Sequence, residues 1–243
     1  GAGPRHRKGA LMKRTWIAAL SLVVLAAPVW AGSPRILNGT VDAIDLQTVR
    51  LDAGVGDISI VAVDSLAEVI LEVELKPRRG GFFSSMKKAQ REVDQAELRM
   101  DVSKGVLRLE IETESDDRHF EETWTIELPS RLAVDLDLGV GNVEVRGLAG
   151  TLTVDAGVGD VVAEAVSGNV TVDVGVGDAT VRAAAADYGS VEGSGGVGDA
   201  KLTVRGERIS SSGFVGKSAE WTGKGEHVID ISMGVGDAEV ILD

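Results

Sequence analysis

Gly-Val-Gly-Asp, or its Asn variant, occurs six times in the chain. It stands in "DAGVGD" at 52–57 and returns as "LGVGN", "AGVGD", "VGVGD", "GGVGD" and "MGVGD". The first glycines are Gly54, Gly139, Gly157, Gly175, Gly196 and Gly234, so the spacings are 85, 18, 18, 21 and 38. The last is close to two units, with a degenerate "GFVG" at Gly213 between them. A fixed period near 18–21 residues is the mark of a repeat architecture.

Between the corners the chain alternates. Leu152, Val154, Ala156 and Val158 fall on one face, then Val161, Ala163 and Ala165; the next unit gives Val170, Val172, Val174 and Val176, then Ala179 and Val181. Period two marks strands, and the inward series slips by one residue at every Gly-Asp. A corner is therefore expected there, with glycine at positive φ and the Asp or Asn bonding its own backbone. Two strands and two corners make one coil. Such a coil buries about six small aliphatics at roughly 2 kcal/mol each, against about 1–2 kcal/mol per ordered residue, so it folds only when stacked on neighbours. The spacing predicts an all-β, right-handed, single-stack β-solenoid or β-helix.

The first half is also strand-rich ("TVRLDAGVGDISIVAV", "AEVILEVEL", "GVLRLEIETE", "ETWTIELP"), but "KPRRGGFFSSMKKAQREVDQAELRM" interrupts it. That excursion, centred on 76–96, fits a short helix with Phe83, Met86 and Val93. Ahead of the strands, residues 12–31 have Lys13 and Arg14, an apolar run, and Val29 and Ala31 before a cut, the layout of a secretory signal peptide. Residues 1–11 read as an upstream extension or cloning remnant, and 32–243 as one exported domain. Residues 1–31 hold five basic residues and no acid, which leaves 20 Lys and Arg against 38 Asp and Glu, a formal charge of −18. A surface so acidic repels nucleic acid and bare anionic membrane. With no cysteine there is no disulfide frame.

The order "AGVGDISI", the long "FFSSMKKAQREVDQAELRMDVSKGVLRLEIE" excursion, and "WTIELPSRLAVDLDLGVGNVEVRGLAGTLTVDAGVGDV" resembles the bacterial exported family catalogued as putative adhesins, a domain of unknown function. The "ELPS" step into the glycine-cornered array is the most characteristic stretch, and the resemblance covers about 36–243. It implies a glycine-cornered β-solenoid and carries over no functional residues.

Chemical readings of the glycine motif are less favoured than an architectural one. A dinucleotide loop needs a third small residue opening a helix, whereas Ser59, Glu144, Val162, Thr180, Lys201 and Glu239 sit inside strands. A calcium array of the G-G-x-G-x-D type places a metal at every corner, and this chain has one acidic corner per coil. The column Asp137, Asp155 and Asp173, stacked at the strand spacing, is the remaining candidate for calcium, but the repulsion is small enough in water that a solvated acidic face is the favoured reading and no metal is expected. His119 and His227 lie in unrelated contexts, and no nucleophile elbow is present. Arg146, Glu164 and Arg182 recur 18 apart with alternating sign, a cross-strand ladder.

Lys76, Arg78, Arg79, Lys87, Lys88 and Arg91, around Phe82, Phe83 and Met86, form a basic patch on an acidic chain and the candidate partner-binding site. The expectation is an exported, periplasmic or secreted, non-enzymatic module of the cell envelope, adhesin-like or scaffolding, with no cofactor. Its partner would be an envelope component or a protein. Neither nucleic acid nor stable membrane insertion after signal cleavage is expected, while the final "DAEVILD" offers an edge for end-to-end self-association. The alternatives are a carbohydrate-active enzyme on a β-helix and a calcium-stabilised repeat protein.

Overall fold

The computed structural model describes residues 32–78, 85–114, 118–210 and 217–243. The leader, the upstream extension, Arg79, Phe82, Phe83 and the "GFVG" segment lie outside the described residues. The first strands are β1 (Arg35–Asp42), β2 (Thr48–Ala62) and β3 (Glu68–Pro77); helix α1 (Met86–Gln95) follows, then β4 (Glu97–Ser103), β5 (Val106–Glu112) and β6 (Phe120–Leu128). The glycine-cornered part gives β7 (Ala133–Val140), β8 (Val143–Arg146), β9 (Leu152–Val158), β10 (Val161–Val166), β11 (Val170–Val176) and β12 (Ala179–Ala183). The chain closes with β13 (Tyr188–Val197), β14 (Ala200–Val204), β15 (Glu207–Ser210), β16 (Lys217–Thr222), β17 (His227–Val235) and β18 (Ala238–Leu242).

The fold is all-β, but the single-stack right-handed solenoid is not what the strands build. They join into one 18-stranded network that wraps into a nearly closed barrel of mixed strand order. One face runs β4-β5-β2-β7-β9-β11-β17-β13-β16. The other runs β1-β3-β6-β2-β8-β10-β12-β18-β14-β15. The cornered strands lie parallel and in register, whereas β1, β3, β4, β15 and β16 run antiparallel to their neighbours.

Edge protection accounts for this order. Stacked in chain order, the last pair, β17 and β18, would be left with open edges, which invite pairing with other chains. Instead Arg205 (φ 50°) and Gly206 (φ 82°) turn the chain back so that β15 covers β14, and β16 covers β13. The last corner then returns inside, with β17 between β11 and β13 and β18 between β12 and β14. The final strand is therefore paired on both edges and offers none for self-association. At the opposite end β4 is an edge strand, and it is charged: Arg99 reaches Asp101 at 2.7 Å and Glu110 and Glu112 at 3.6 Å.

The core lies between the two faces as columns in register. Val49, Val134, Leu152, Val170, Ile229 and Val191 form one column; Leu51, Leu136, Val154, Val172, Ile231 and Gly193 form the next. Opposite them stand Ile58, Val143, Val161, Ala179, Ala238 and Ala200. Side chains shrink toward the C-terminal end, where a Cβ at Gly193 would find its nearest neighbour, Ala238 Cβ, at 3.9 Å. Tyr188 is buried there, its hydroxyl donating to the carbonyls of Val166 (3.2 Å) and Gly168 (3.0 Å).

Candidate interaction surface

Each corner is built by its second glycine. Gly56, Gly141, Gly159, Gly177, Gly198 and Gly236 have φ between 139° and 149°, a region that side-chain-bearing residues rarely enter. A Cβ added at Gly159 would lie 1.7 Å from the carbonyl oxygen of Gly141 in the adjoining strand. Stacking is thus possible only with glycine here.

The sequence suggests that the acids beside these glycines bond their own backbone; instead, five of the six accept the backbone N–H of the next corner in the stack. Asp57 accepts from Asn142 (3.0 Å), Asn142 from Asp160 (3.1 Å), Asp160 from Asp178 (2.9 Å), Asp178 from Asp237 (2.8 Å) and Asp237 from Asp199 (2.8 Å). The ladder satisfies N–H groups that the bend leaves without sheet partners. It also follows the spatial order, with Asp237 before Asp199.

The valine between the glycines behaves differently from its expected inward position. Val140, Val158, Val176, Val197 and Val235 are 46–56% exposed, and the inward series runs from Ala156 to Val161, passing over Val158. With glycine on both sides, the chain bends around the valine and leaves it on the outside of the corner. Ala165 is also exposed: it bulges at φ 53°, and Val166 is buried in its place. Register aligns Val55, Val140, Val158, Val176, Val235 and Val197 into one row.

Acids flank that row on both sides. On one side run the corner acids. On the other, Asp137, Asp155 and Asp173 stack as their spacing predicts, joined by Asp52, which stands two residues before Gly54 just as Asp137 precedes Gly139. Partial burial and repulsion from Asp52, Asp155 and Asp135 hold the Asp137 carboxyl above the usual aspartate range. Among the described residues no group of three His, Cys, Asp or Glu side chains is arranged to hold a metal ion. On the far face, Glu164 reaches Arg146 at 3.2 Å and Arg182 at 3.8 Å, the expected ladder.

The basic patch is partly spent on ion pairs. Lys76 meets Glu74 at 2.7 Å, Arg78 meets Glu121 at 3.9 Å and Lys88 meets Glu92 at 3.6 Å. Lys87 and Arg91, four apart on α1, are exposed and have no ion-pair partner among the described residues. The helix is capped by Ser85, whose Oγ accepts from the Lys87 N–H at 3.2 Å, and is anchored by Ala89 and Val93.

A buried polar cluster beneath it was not read from the sequence. Glu92 accepts from the His119 backbone N–H (3.0 Å) and faces its Nδ1 at 3.0 Å. Glu122, 1% exposed, accepts from Trp124 Nε1 at 2.8 Å and Arg118 at 3.3 Å. Burial pushes the Glu122 carboxyl above the ordinary range despite these donors. The Glu-Thr-Trp alternation was the available signal, since residues two apart on a strand share a face. The Glu122 carboxylate also accepts a backbone hydrogen bond from Gly54, which ties it to the first corner. At the C-terminal end a groove of about 660 Å³ opens beside Trp221, Ile209, Arg205 and Lys224.

Among solved structures, the chain is similar to one from Clostridium sporogenes described as a putative cell adhesion protein. The two share 21% identity at a TM-score of 0.55, over 87% of this chain and 100% of that one. The likeness is one of fold. A putative adhesin from Bacteroides fragilis matches at 15% identity over 85% of this chain and 97% of its own, with a TM-score of 0.33. One from Parabacteroides distasonis matches at 11% over 86% and 98%, with a TM-score of 0.34. These two overlaps are too loose to bear on the fold. No family profile and no curated protein matches. Among the described residues no helix is long and apolar enough to cross a membrane.

Proposed function

We propose that the chain is an exported, non-enzymatic, adhesin-like binding module of the cell envelope. The observation that carries this reading is the row of half-exposed valines held at strand spacing along one edge. Soluble proteins rarely leave contiguous apolar surface uncovered unless something binds it. The signal-peptide layout of 12–31 supports export, and the fold shared with a protein described as a cell adhesion protein agrees with a binding role.

A second contact is favoured by Lys87 and Arg91, which present unneutralised charge on an otherwise acidic molecule and would suit an anionic envelope component. Co-sedimentation of residues 32–243 with peptidoglycan, outer-membrane vesicles and neutral liposomes tests both contacts. Selective pelleting that is lost in Val140→Ser/Val158→Ser/Val176→Ser supports the valine edge. Loss in Lys87→Glu/Arg91→Glu supports the helix instead. A chain that pellets with none of the three fractions overturns the envelope reading.

A further inference from the structure

We propose that the valine row and its two acid columns dock a basic amphipathic helix of a partner protein. This deepens the binding-module reading and rests on it. Six valines in register, five of them about half exposed and Val55 at the end less so, make an apolar ridge roughly 24 Å long at about 4.8 Å per strand. That is the length of about 16 residues of helix at 1.5 Å each. The ridge is narrow, because glycine stands on either side of every valine and adds no side chain.

The flanks decide the occupant. Acids stand two residues from the valines on one side and three on the other, roughly 7–10 Å along the strand. A helix about 10–12 Å across, with its apolar stripe on the ridge, would place Lys or Arg side chains over both columns. Asp52, Asp137, Asp155 and Asp173 make no ion pair among the described residues, and partial burial, with repulsion from Asp52 and Asp155 added to it, makes Asp137 hold its proton more tightly than usual. Among the described residues, Arg118 packs over Gly54 toward one end of the ridge and Lys201 meets Asp237 toward the other.

Other occupants fit less well. A second copy would set acid against acid, as would an anionic lipid surface. A neutral glycan would want an aromatic platform, and the ridge has none. A cationic segment with an apolar stripe satisfies both features at once.

The probe is a fluorescein-labelled 18-residue Lys/Leu helical peptide, followed by anisotropy against residues 32–243. Glu/Leu and Lys/Ser peptides of equal length serve as comparators. The expected result is saturable binding of the Lys/Leu peptide alone. It should weaken at least tenfold in Val140→Ser/Val158→Ser/Val176→Ser, which leaves every charge in place. It should also weaken at least tenfold in Asp137→Asn/Asp155→Asn/Asp173→Asn, with a shallower salt dependence. Circular dichroism and melting confirm each fold, and single Val158→Lys replaces the triple variant if that one unfolds.

Valine variants that bind within twofold of the parent overturn the proposal, as does equal binding of the Glu/Leu peptide. So does a dimer in light scattering that the valine variant abolishes, since the occupant is then a second copy. Envelope pelleting that survives when peptide binding fails sinks the helix and leaves the binding-module reading intact. Peptide binding without any envelope pelleting does the reverse.

Discussion

Replacing Gly159 by alanine tests the corner geometry most sharply. The residue has φ 146°, and the added Cβ would lie 1.7 Å from the Gly141 carbonyl oxygen and 2.6 Å from its carbon. Backbone strain in this glycine-only region costs about 1–3 kcal/mol. The clash cannot be relieved by a side chain, because the obstacle is main chain. The two strands must part, which weakens the Gly141 N–H bond to the Val158 carbonyl (2.9 Å) and the Asp160 N–H bond to Asn142 (3.1 Å), each worth about 1 kcal/mol. The sum is about 3–5 kcal/mol, or a fall in Tm of roughly 6–20 °C for a chain of this size. Gly206→Ala is the control: its φ is 82°, but nothing lies within 4 Å of the new Cβ, so only strain of about 1 kcal/mol applies. Urea denaturation of both variants measures the difference. Equal losses within about 0.5 kcal/mol, the usual scatter for independent sites, would refute the close approach of the strands.

Further outcomes follow from the same geometry. Asp160→Ala removes the acceptor for the Asp178 N–H and should cost about 1–2 kcal/mol by denaturation, whereas Asp160→Asn, which copies Asn142, should stay near the parent. Gly193→Ala fills space in the tapered end of the core and trims the freedom of the unfolded chain, so it should raise stability by about 0.4–1 kcal/mol. Glu122 titrates above its ordinary 4.5, so the native state holds that proton more tightly than the unfolded chain. Its stabilisation is fully present below 4.5 and is lost as pH rises through the native value. Stability measured against pH should therefore slope downward in that window for the parent and be flatter there for Glu122→Gln.

Periodicity within one strand pair was legible in the sequence, and features that depend on distant pairing were not. Alternation located the strands, the glycines announced positive φ, and the 18-residue spacing placed Asp137, Asp155 and Asp173 in one column and Arg146, Glu164 and Arg182 in another. Asp52 belonged to the first column by the same rule, but lay across an 85-residue gap. The outward turn of Val158 was hidden because counting by two assumes a continuous strand, and the corner breaks that count on both sides of the valine. The gap of 38 between Gly196 and Gly234 fits two stacked units as well as an excursion that caps the edge and returns inside; only the need to cover the edges of the last stacked pair separates them. The partners of Glu92 and Glu122 come from segments whose meeting no local pattern encodes.

The central claim is that the valine edge touches another molecule. It is tested most directly by placing a photo-crosslinking residue at Val158, at Val176 and, as a control, at Thr180 on the far face of the corner, and irradiating the chain with an envelope fraction. The account predicts adducts from Val158 and Val176, suppressed by excess Lys/Leu peptide, and none from Thr180. Adducts that are strongest at Thr180, or equal at all three positions, would contradict it.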